Sequence, residues 1–218
     1  ATLSHWFMKF LDEEGLLKRV FTQNIDGLDY QTGIRRELVT NVHGSIANVS
    51  CEGCGRRMSF DAFCDKVRSQ IKDIYKVDPT APETSTEIHC PSCNQPLVKP
   101  STVLFGSSLP REFFKQLPEL TEADLLIVAG TSLQVSPANS VVSEVSDKCV
   151  RLIVNKEPVG EMLGVRYGEA AVQDVWTGEM TCDEAFMELI KMLGWQEKLR
   201  GIQHLLPESN QELIKGFV

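Results

Sequence analysis

The chain has 218 residues, 42% of them apolar and 24% charged, which suits one large folded domain or a domain plus a small module. A net charge of −8 and an isoelectric point near 5.1 argue against a direct nucleic-acid partner, because phosphate binding leaves a basic footprint. No apolar stretch is long enough to span a bilayer, and Lys9, Asp12, Glu13 and Glu14 interrupt any secretory apolar segment, so a soluble protein without a membrane partner is expected.

Leu3, Trp6, Phe7, Phe10 and Leu11 recur at i, i+3, i+4, i+7 and i+8, predicting an amphipathic helix that Gly15 ends. Leu16 to Phe21 predict a short strand leading into Thr22-Gln23-Asn24-Ile25-Asp26-Gly27. After a turn at Thr32-Gly33, Glu37 to Val42 predict a second short strand, which delivers His43-Gly44-Ser45. Phe60, Phe63, Cys64, Val67, Ile71 and Ile74 form a helical stripe, and the Pro- and Thr-rich residues from Asp78 to Glu87 read as a loop.

From Val98 onward strands alternate with helices. Thr102 to Phe105 predict a strand ending at Gly106, and Pro110 opens a helix. Leu125 to Ala129 is a continuous apolar run, as expected of a strand buried on both faces of a parallel sheet. Ser136-Pro137 starts the next helix, and Leu152 to Val154 predict another buried strand. Thr181 and Glu184 have capping-box spacing before a helix through Leu193, closed by Gly194. The alternation predicts an α/β fold with a doubly wound, Rossmann-like parallel sheet. Residues 51–98 form an inserted module, 1–50 and 99–195 the sheet domain, and 196–218 a helical tail.

Seven cysteines is an odd count, and four of them, Cys51, Cys54, Cys90 and Cys93, form two C-x2-C pairs. Without a secretory segment a disulfide framework is not expected. Two thiolate pairs complete a tetrahedral zinc shell and leave no open position for water, so the site is structural, not catalytic. The plainer alternative is two independent reduced thiol pairs. Cys64, Cys149 and Cys182 have structural readings, on a helix stripe, before a strand and in a helix's first turn.

Ligands of open α/β sheets bind beyond the carboxyl ends of the strands. Three polar clusters sit at such ends: Gln23-Asn24-Ile25-Asp26, Gly130-Thr131-Ser132 and Asn155-Lys156-Glu157. Gly130 allows close backbone approach, Thr131 and Ser132 offer hydroxyls and amides, and Asn155 and Glu157 suit ribose hydroxyls. Together they suggest a nucleotide, although each alone is an ordinary strand-to-helix turn. His43 is the one histidine beside a glycine at a strand end. Taken alone it has a structural reading as well as a catalytic one.

Thr22-Gln23-Asn24-Ile25-Asp26, His43-Gly44, the two C-x2-C pairs, Phe105-Gly106 with Leu109-Pro110, Gly130-Thr131-Ser132 and Asn155-Lys156-Glu157 occur in the order found in sirtuins. The chain resembles these NAD-dependent protein lysine deacylases from residue 1 to about Trp195, and is most similar to their cytosolic-nuclear eukaryotic branch. The resemblance implies that His43 is the general base toward the nicotinamide-side ribose, a task suited to a pKa near neutrality. It implies that Asn24 and Gln23 orient that ribose and water, with Ile25 in the same cofactor segment, and that Asp26 meets the nicotinamide carboxamide. Gly130, Thr131, Ser132, Asn155, Lys156, Glu157 and Cys182 are then the adenosine-side contacts. Val103 and Gly106 pair by backbone with a substrate peptide, and Leu104, Phe105 and Val135 belong to the acyl-lysine channel.

The implied reaction consumes NAD and yields free lysine, nicotinamide and O-acyl-ADP-ribose. The implied substrates are acyl-lysine peptides or proteins, histone or cytosolic, and the implied locations are cytoplasm and nucleus. Leu104 replaces an aromatic residue usual in the family, and Ser101 and Ser107 stand where acidic residues are common, so a shifted acyl-chain preference is expected. The family's first strand, its glycine-rich phosphate loop and the Pro-Asp-Phe-Arg segment are not among these 218 residues. Little NAD turnover is therefore expected of residues 1–218 alone. Three alternatives remain open at this point: a catalytically impaired zinc-containing binding protein, a mono-ADP-ribosyltransferase, and a zinc adaptor unrelated to NAD.

Overall fold

In the computed structural model, residues 1–217 are described, and they divide into two compact units. The first comprises Ala1–Thr22, Leu28–Val42 and Leu109–Val218, and the second Gln23–Gly27 and His43–Ser108.

The first unit opens with helix α1 (Leu3–Glu13), which buries Leu3, Trp6, Phe7 and Phe10 as their spacing dictates. Gly15, at φ 70°, turns the chain out of it and donates its amide to the Asp12 carbonyl. Strand β1 (Val20–Thr22) pairs in parallel with β2 (Val39–Asn41), Val20 opposite Val39. A short helix α2 (Leu28–Gln31) lies between them in sequence, and Glu37 and Leu38, expected as strand, belong instead to the 3-10 turn Arg36–Leu38.

The second unit carries an antiparallel sheet of β3 (Gly44–Cys51), β4 (Arg57–Met58) and β5 (Val98–Thr102), in the order β4-β3-β5. The strand expected over Thr102 to Phe105 therefore ends where it was to begin, because Val98 to Thr102 pair with β3 and the chain then turns. Helix α3 (Phe60–Gln70) is capped by the Ser59 hydroxyl, which accepts the Ala62 amide at 3.3 Å. It buries none of its residues and stops before Ile71 and Ile74, so its apolar stripe is shorter than the sequence suggested.

Back in the first unit follow α4 (Arg111–Gln116), β6 (Leu125–Ala129), α5 (Val141–Glu144), β7 (Val150–Val154) and β8 (Asp174–Trp176). Strands β6, β7 and β8 form a parallel sheet in that order. The α/β class with parallel sheets holds, but the parallel strands lie in two sheets, β1-β2 and β6-β7-β8, not in one. Strand β6 is also less enclosed than its apolar run implied: Val128 is buried, yet Leu125 is 46% exposed.

The chain closes with α6 (Cys182–Met192), α7 (Gln196–Ile202) and α8 (Glu208–Leu213). One apolar core joins α1 to this helical end: Leu3, Phe7 and Phe10 pack with Val154, Phe186, Ile190, Leu199 and Ile214. The Phe7 and Phe186 rings stack at 4.7 Å between centroids. A second core of Val128, Val142, Ile153 and Val165 fills the other side of β7. No described helix is long and apolar enough to cross a membrane.

Candidate functional site

The cysteine centre is built from two turns with one backbone pattern. Cys51 donates its amide to the Arg56 carbonyl, and its own carbonyl accepts the Gly55 amide. Cys90 does the same with the Gln95 carbonyl and the Asn94 amide. The fifth residue of each turn is left-handed, Gly55 at φ 73° and Asn94 at φ 56°, the residue types that tolerate it best. Each turn thus folds two sulfurs toward one point.

All four Sγ atoms lie within 4.8 Å of one another, with Cys51 to Cys93 at 3.6 Å and Cys54 to Cys90 at 3.7 Å. A tetrahedron with metal–sulfur arms of about 2.3 Å has edges of about 3.8 Å, which these two separations match, so the four-sulfur set suits zinc. The thiols are electrostatically unequal. The amides of Cys93 and Ser92 pull Cys90 down to about 6. The Gln95 amide acts the same way on Cys93, but burial and the other three sulfurs outweigh it and push Cys93 up to about 12. Without a dication four thiolates cannot share this volume.

The nucleotide-type residues of the first unit meet around an open cavity of about 390 Å³. Its lining includes Gly130, Thr131, Ser132, Asn155, Lys156, Glu157 and Cys182, all anticipated from sequence. The parallel register of β6 and β7 brings the first two clusters side by side, and the Gly130 amide donates to the Val154 carbonyl at 3.1 Å. Gly130 is left-handed at φ 60°, and a Cβ there would lie 3.3 Å from the Cys182 sulfur. The Asn155 side chain donates to the Glu157 carbonyl at 3.0 Å, curling the loop on itself.

Three further residues shape this cavity and were not anticipated. Val159 and Thr181 line it. The Trp176 indole donates to the Asn155 carbonyl at 2.7 Å and fixes the start of that loop. Thr181 had a visible signal, the capping box: its amide and hydroxyl donate to the Glu184 carboxylate, both at 2.7 Å. Trp176 had none, because its partner is a carbonyl far away in sequence. Burial, reinforced by Asp183, pushes the Cys182 thiol up, so it stays a protonated wall group.

The second unit holds the segment 23–27 beside His43. The His43 Nδ1 lies 3.1 Å from the Gln23 carbonyl oxygen, an acceptor, so Nδ1 carries a proton and in the neutral ring Nε2 is the nitrogen with the free lone pair. The Ile46 amide donates to the Ile25 carbonyl at 3.0 Å, tying the two stretches together. Asn24, Ile25 and Asp26 are exposed and His43 is half-buried. Gly44, at φ 76°, approaches β5 so closely that a Cβ would sit 2.0 Å from the Ser101 carbonyl oxygen.

The anticipated channel residues are distributed over both units. Val103, Leu104, Phe105 and Gly106 belong to the second and Val135 to the first. Leu104 is 60% exposed and Phe105 99% exposed. The Val103 amide already donates to the His43 carbonyl at 2.9 Å, so it is engaged within the protein.

Comparison with known proteins agrees with these features. A Sir2 family profile matches residues 1–137. The chain is 35% identical to the NAD-dependent protein deacetylase sirtuin-2 of Danio rerio, covering 95% of the chain and 55% of that protein. It is 36% identical to the NAD-dependent protein deacetylase hst2-2 of Emericella nidulans, over 92% of the chain and 51% of the relative. Against the NAD-dependent protein deacetylase sirtuin-3 of Mus musculus the identity is 30%, over 90% and 53%. The chain thus spans about half the length of the curated relatives it matches. With the cysteine centre, the strand-end clusters and the profile in agreement, the chain belongs to the Sir2 family.

Proposed function

We propose that the protein is an NAD-dependent protein lysine deacetylase or deacylase that transfers the acyl group to ADP-ribose and releases nicotinamide. The observation that carries the reading is His43, whose Nδ1 is committed to the Gln23 carbonyl and whose Nε2 is left as a base. Its relatives' names as NAD-dependent protein deacetylases support the same reaction. NAD, as co-substrate, supplies the ribose carbon that accepts the acyl oxygen as nicotinamide departs.

In this reading His43 takes a proton from a ribose hydroxyl through Nε2 while Nδ1–H stays on Gln23. Asn24 and Gln23 orient that ribose, Ile25 flanks them, and Asp26 accepts from the nicotinamide carboxamide. Gly130, Thr131 and Ser132 offer amides and hydroxyls to the adenosine side. Asn155 and Glu157 take ribose hydroxyls, Lys156 adds a positive charge near the diphosphate, and Cys182 walls the base. Val103 and Gly106 lie along the substrate backbone, the former through its carbonyl because its amide is engaged. Leu104, Phe105 and Val135 give the acyl-lysine apolar surface. Zinc on Cys51, Cys54, Cys90 and Cys93 is structural, since no coordination position remains for a substrate. Substrates are acyl-lysine proteins, histone or cytosolic, and the compartments are cytoplasm and nucleus, which suit seven cysteines that form no disulfide.

The test incubates the full-length gene product with NAD and an acetyl-lysine peptide. Nicotinamide and O-acetyl-ADP-ribose appear in equal amounts, and His43→Ala lowers their rate by about 10²- to 10⁴-fold. An unchanged rate in His43→Ala removes the assigned base. ADP-ribosylated protein in place of O-acetyl-ADP-ribose replaces deacylation by mono-ADP-ribosyl transfer.

A further inference from the structure

Helix α1 begins with an unusual cap. The amides of its first two residues are not satisfied by the preceding chain alone. The Leu3 amide donates to the Asn210 side-chain oxygen at 2.8 Å, and the Ser4 amide to the Asp183 carboxylate at 2.9 Å. The Ser4 hydroxyl donates to the same carboxylate oxygen. Asn210 then donates its side-chain NH2 to the other Asp183 oxygen at 2.7 Å. Three elements, α1, α6 and α8, are knotted at one point, and Asn210 is only 5% exposed there.

The knot adjoins the nucleotide-type pocket through the first turn of α6. Asp183 follows Thr181 and Cys182, which line the cavity. The Cys182 sulfhydryl donates to the Val154 carbonyl at 3.5 Å, one residue before Asn155. The first turn of α6 is therefore fastened on both sides: through Cys182 to the end of β7, and through Asp183 to α1 and α8. The Thr181–Glu184 capping box keeps this turn helical but does not fix its place against neighbouring elements. Ala185 and Phe186 hold the helix by apolar packing, and Asp183 adds the polar anchor of its first turn, its negative charge also complementing the positive end of α1.

We propose that Asp183 and Asn210 are positioning residues for the nucleotide pocket, so that the carboxyl-terminal helix α8 helps set nucleoside affinity although it contributes no pocket lining. This rests on the nucleotide reading of the cavity given above. Neither residue touches ligand: Asn210 acts through Asp183, and Asp183 through the adjoining Thr181 and Cys182. Ordering the first turn of α6 before ligand arrives removes that cost from binding.

The exchange of the two side chains tests the pair. Asn210→Asp sets two carboxylates face to face and breaks the bond between them. In the double variant Asp183→Asn, Asn210→Asp, residue 210 still accepts the Leu3 amide, residue 183 still accepts the Ser4 amide, and the donor has merely changed sides. Affinity for ADP-ribose is read by calorimetry on the full-length gene product, well below the melting temperature, with melting measured separately. Asn210→Asp is expected to weaken binding about tenfold, and the exchange to restore it to within about twofold, as for a directly coupled pair. If Asn210→Asp does not fold, Asn210→Ala deletes the donor without adding charge, and a loss of about threefold is expected. A lowered melting temperature with unchanged affinity makes the knot merely structural and overturns the proposal. Weakened binding that the exchange does not restore overturns the pairing. If the unmodified protein binds no ADP-ribose, the nucleotide reading of the pocket falls and this proposal with it.

Discussion

The two units are held together by different means. The first buries two apolar clusters around β7, with Phe10, Ile153 and Ile190 almost wholly removed from solvent. In the second, among the described residues, the buried apolar side chains are Val49, Cys51 and Cys90, and two of those three are metal-type ligands. Ile74, Tyr75 and Val77 in that unit are all more than 70% exposed. A segment with so little core cannot offset its chain entropy by burial, so a metal centre takes the place of a core. The difference teaches where each unit is vulnerable: to cavities in the first and to ligand loss in the second.

The largest effect expected from that contrast is metal removal. Structural zinc contributes on the order of 10–16 kcal/mol in small metal-dependent folds, more than this module can lose and stay folded. Chelation, or Cys51→Ser, should raise amide hydrogen exchange across residues 43–108 while the remainder stays protected. Trp6, Trp176 and Trp195 all lie in the first unit, so tryptophan fluorescence should hardly change. A fluorescence shift coincident with zinc release would show that the two units do not unfold independently. Metal analysis should give one zinc per chain before chelation.

The converse variant is Phe186→Ala. Phe186 is 3% exposed and stacked on Phe7, so its removal should cost about 3–5 kcal/mol and lower the melting transition seen by tryptophan fluorescence. Zinc content should be unaffected. Loss of zinc in this variant would mean that the first unit's core also supports the second.

A smaller but more local effect is expected from Gly44→Ala. The new methyl meets the Ser101 carbonyl at 2.0 Å in a backbone conformation that disfavours side chains, a combination worth roughly 2–4 kcal/mol. Pairing of β3 with β5 should loosen next to His43, so nicotinamide release should fall with zinc retained. Wild-type turnover in this variant would show that β5 does not fix the histidine.

Much of the fold was legible because it depends on local periodicity and capping. The α1 stripe, the Thr181–Glu184 cap and the apolar runs of β6 and β7 read directly from residue spacing. Strand limits did not, since pairing decides them: β5 ends at Thr102 because its register with β3 ends there. The apolar stripe over Phe60 to Ile74 suggested burial, yet α3 buries nothing and ends at Gln70. Periodicity states which face is apolar and not whether anything covers it.

The candidate site divides along the same line. Candidate chemistry was legible in the sequence: paired cysteines at knuckle spacing, a histidine beside a glycine, and polar clusters after apolar runs mark groups able to bind or react, while the roles proposed for them come from the family resemblance. Tertiary structure alone decided their arrangement. Only folding brings Cys51 within 3.6 Å of Cys93, sets His43 on the Gln23 carbonyl, recruits Val159 and Thr181 to the cavity and bonds Trp176 to the Asn155 carbonyl. The cap of α1 by Asp183 and Asn210 is the clearest case, because its partners stand 179 and 207 residues away in sequence. A side chain's chemistry travels with the residue, whereas a hydrogen bond between distant segments exists only once loop closure and packing have placed both ends.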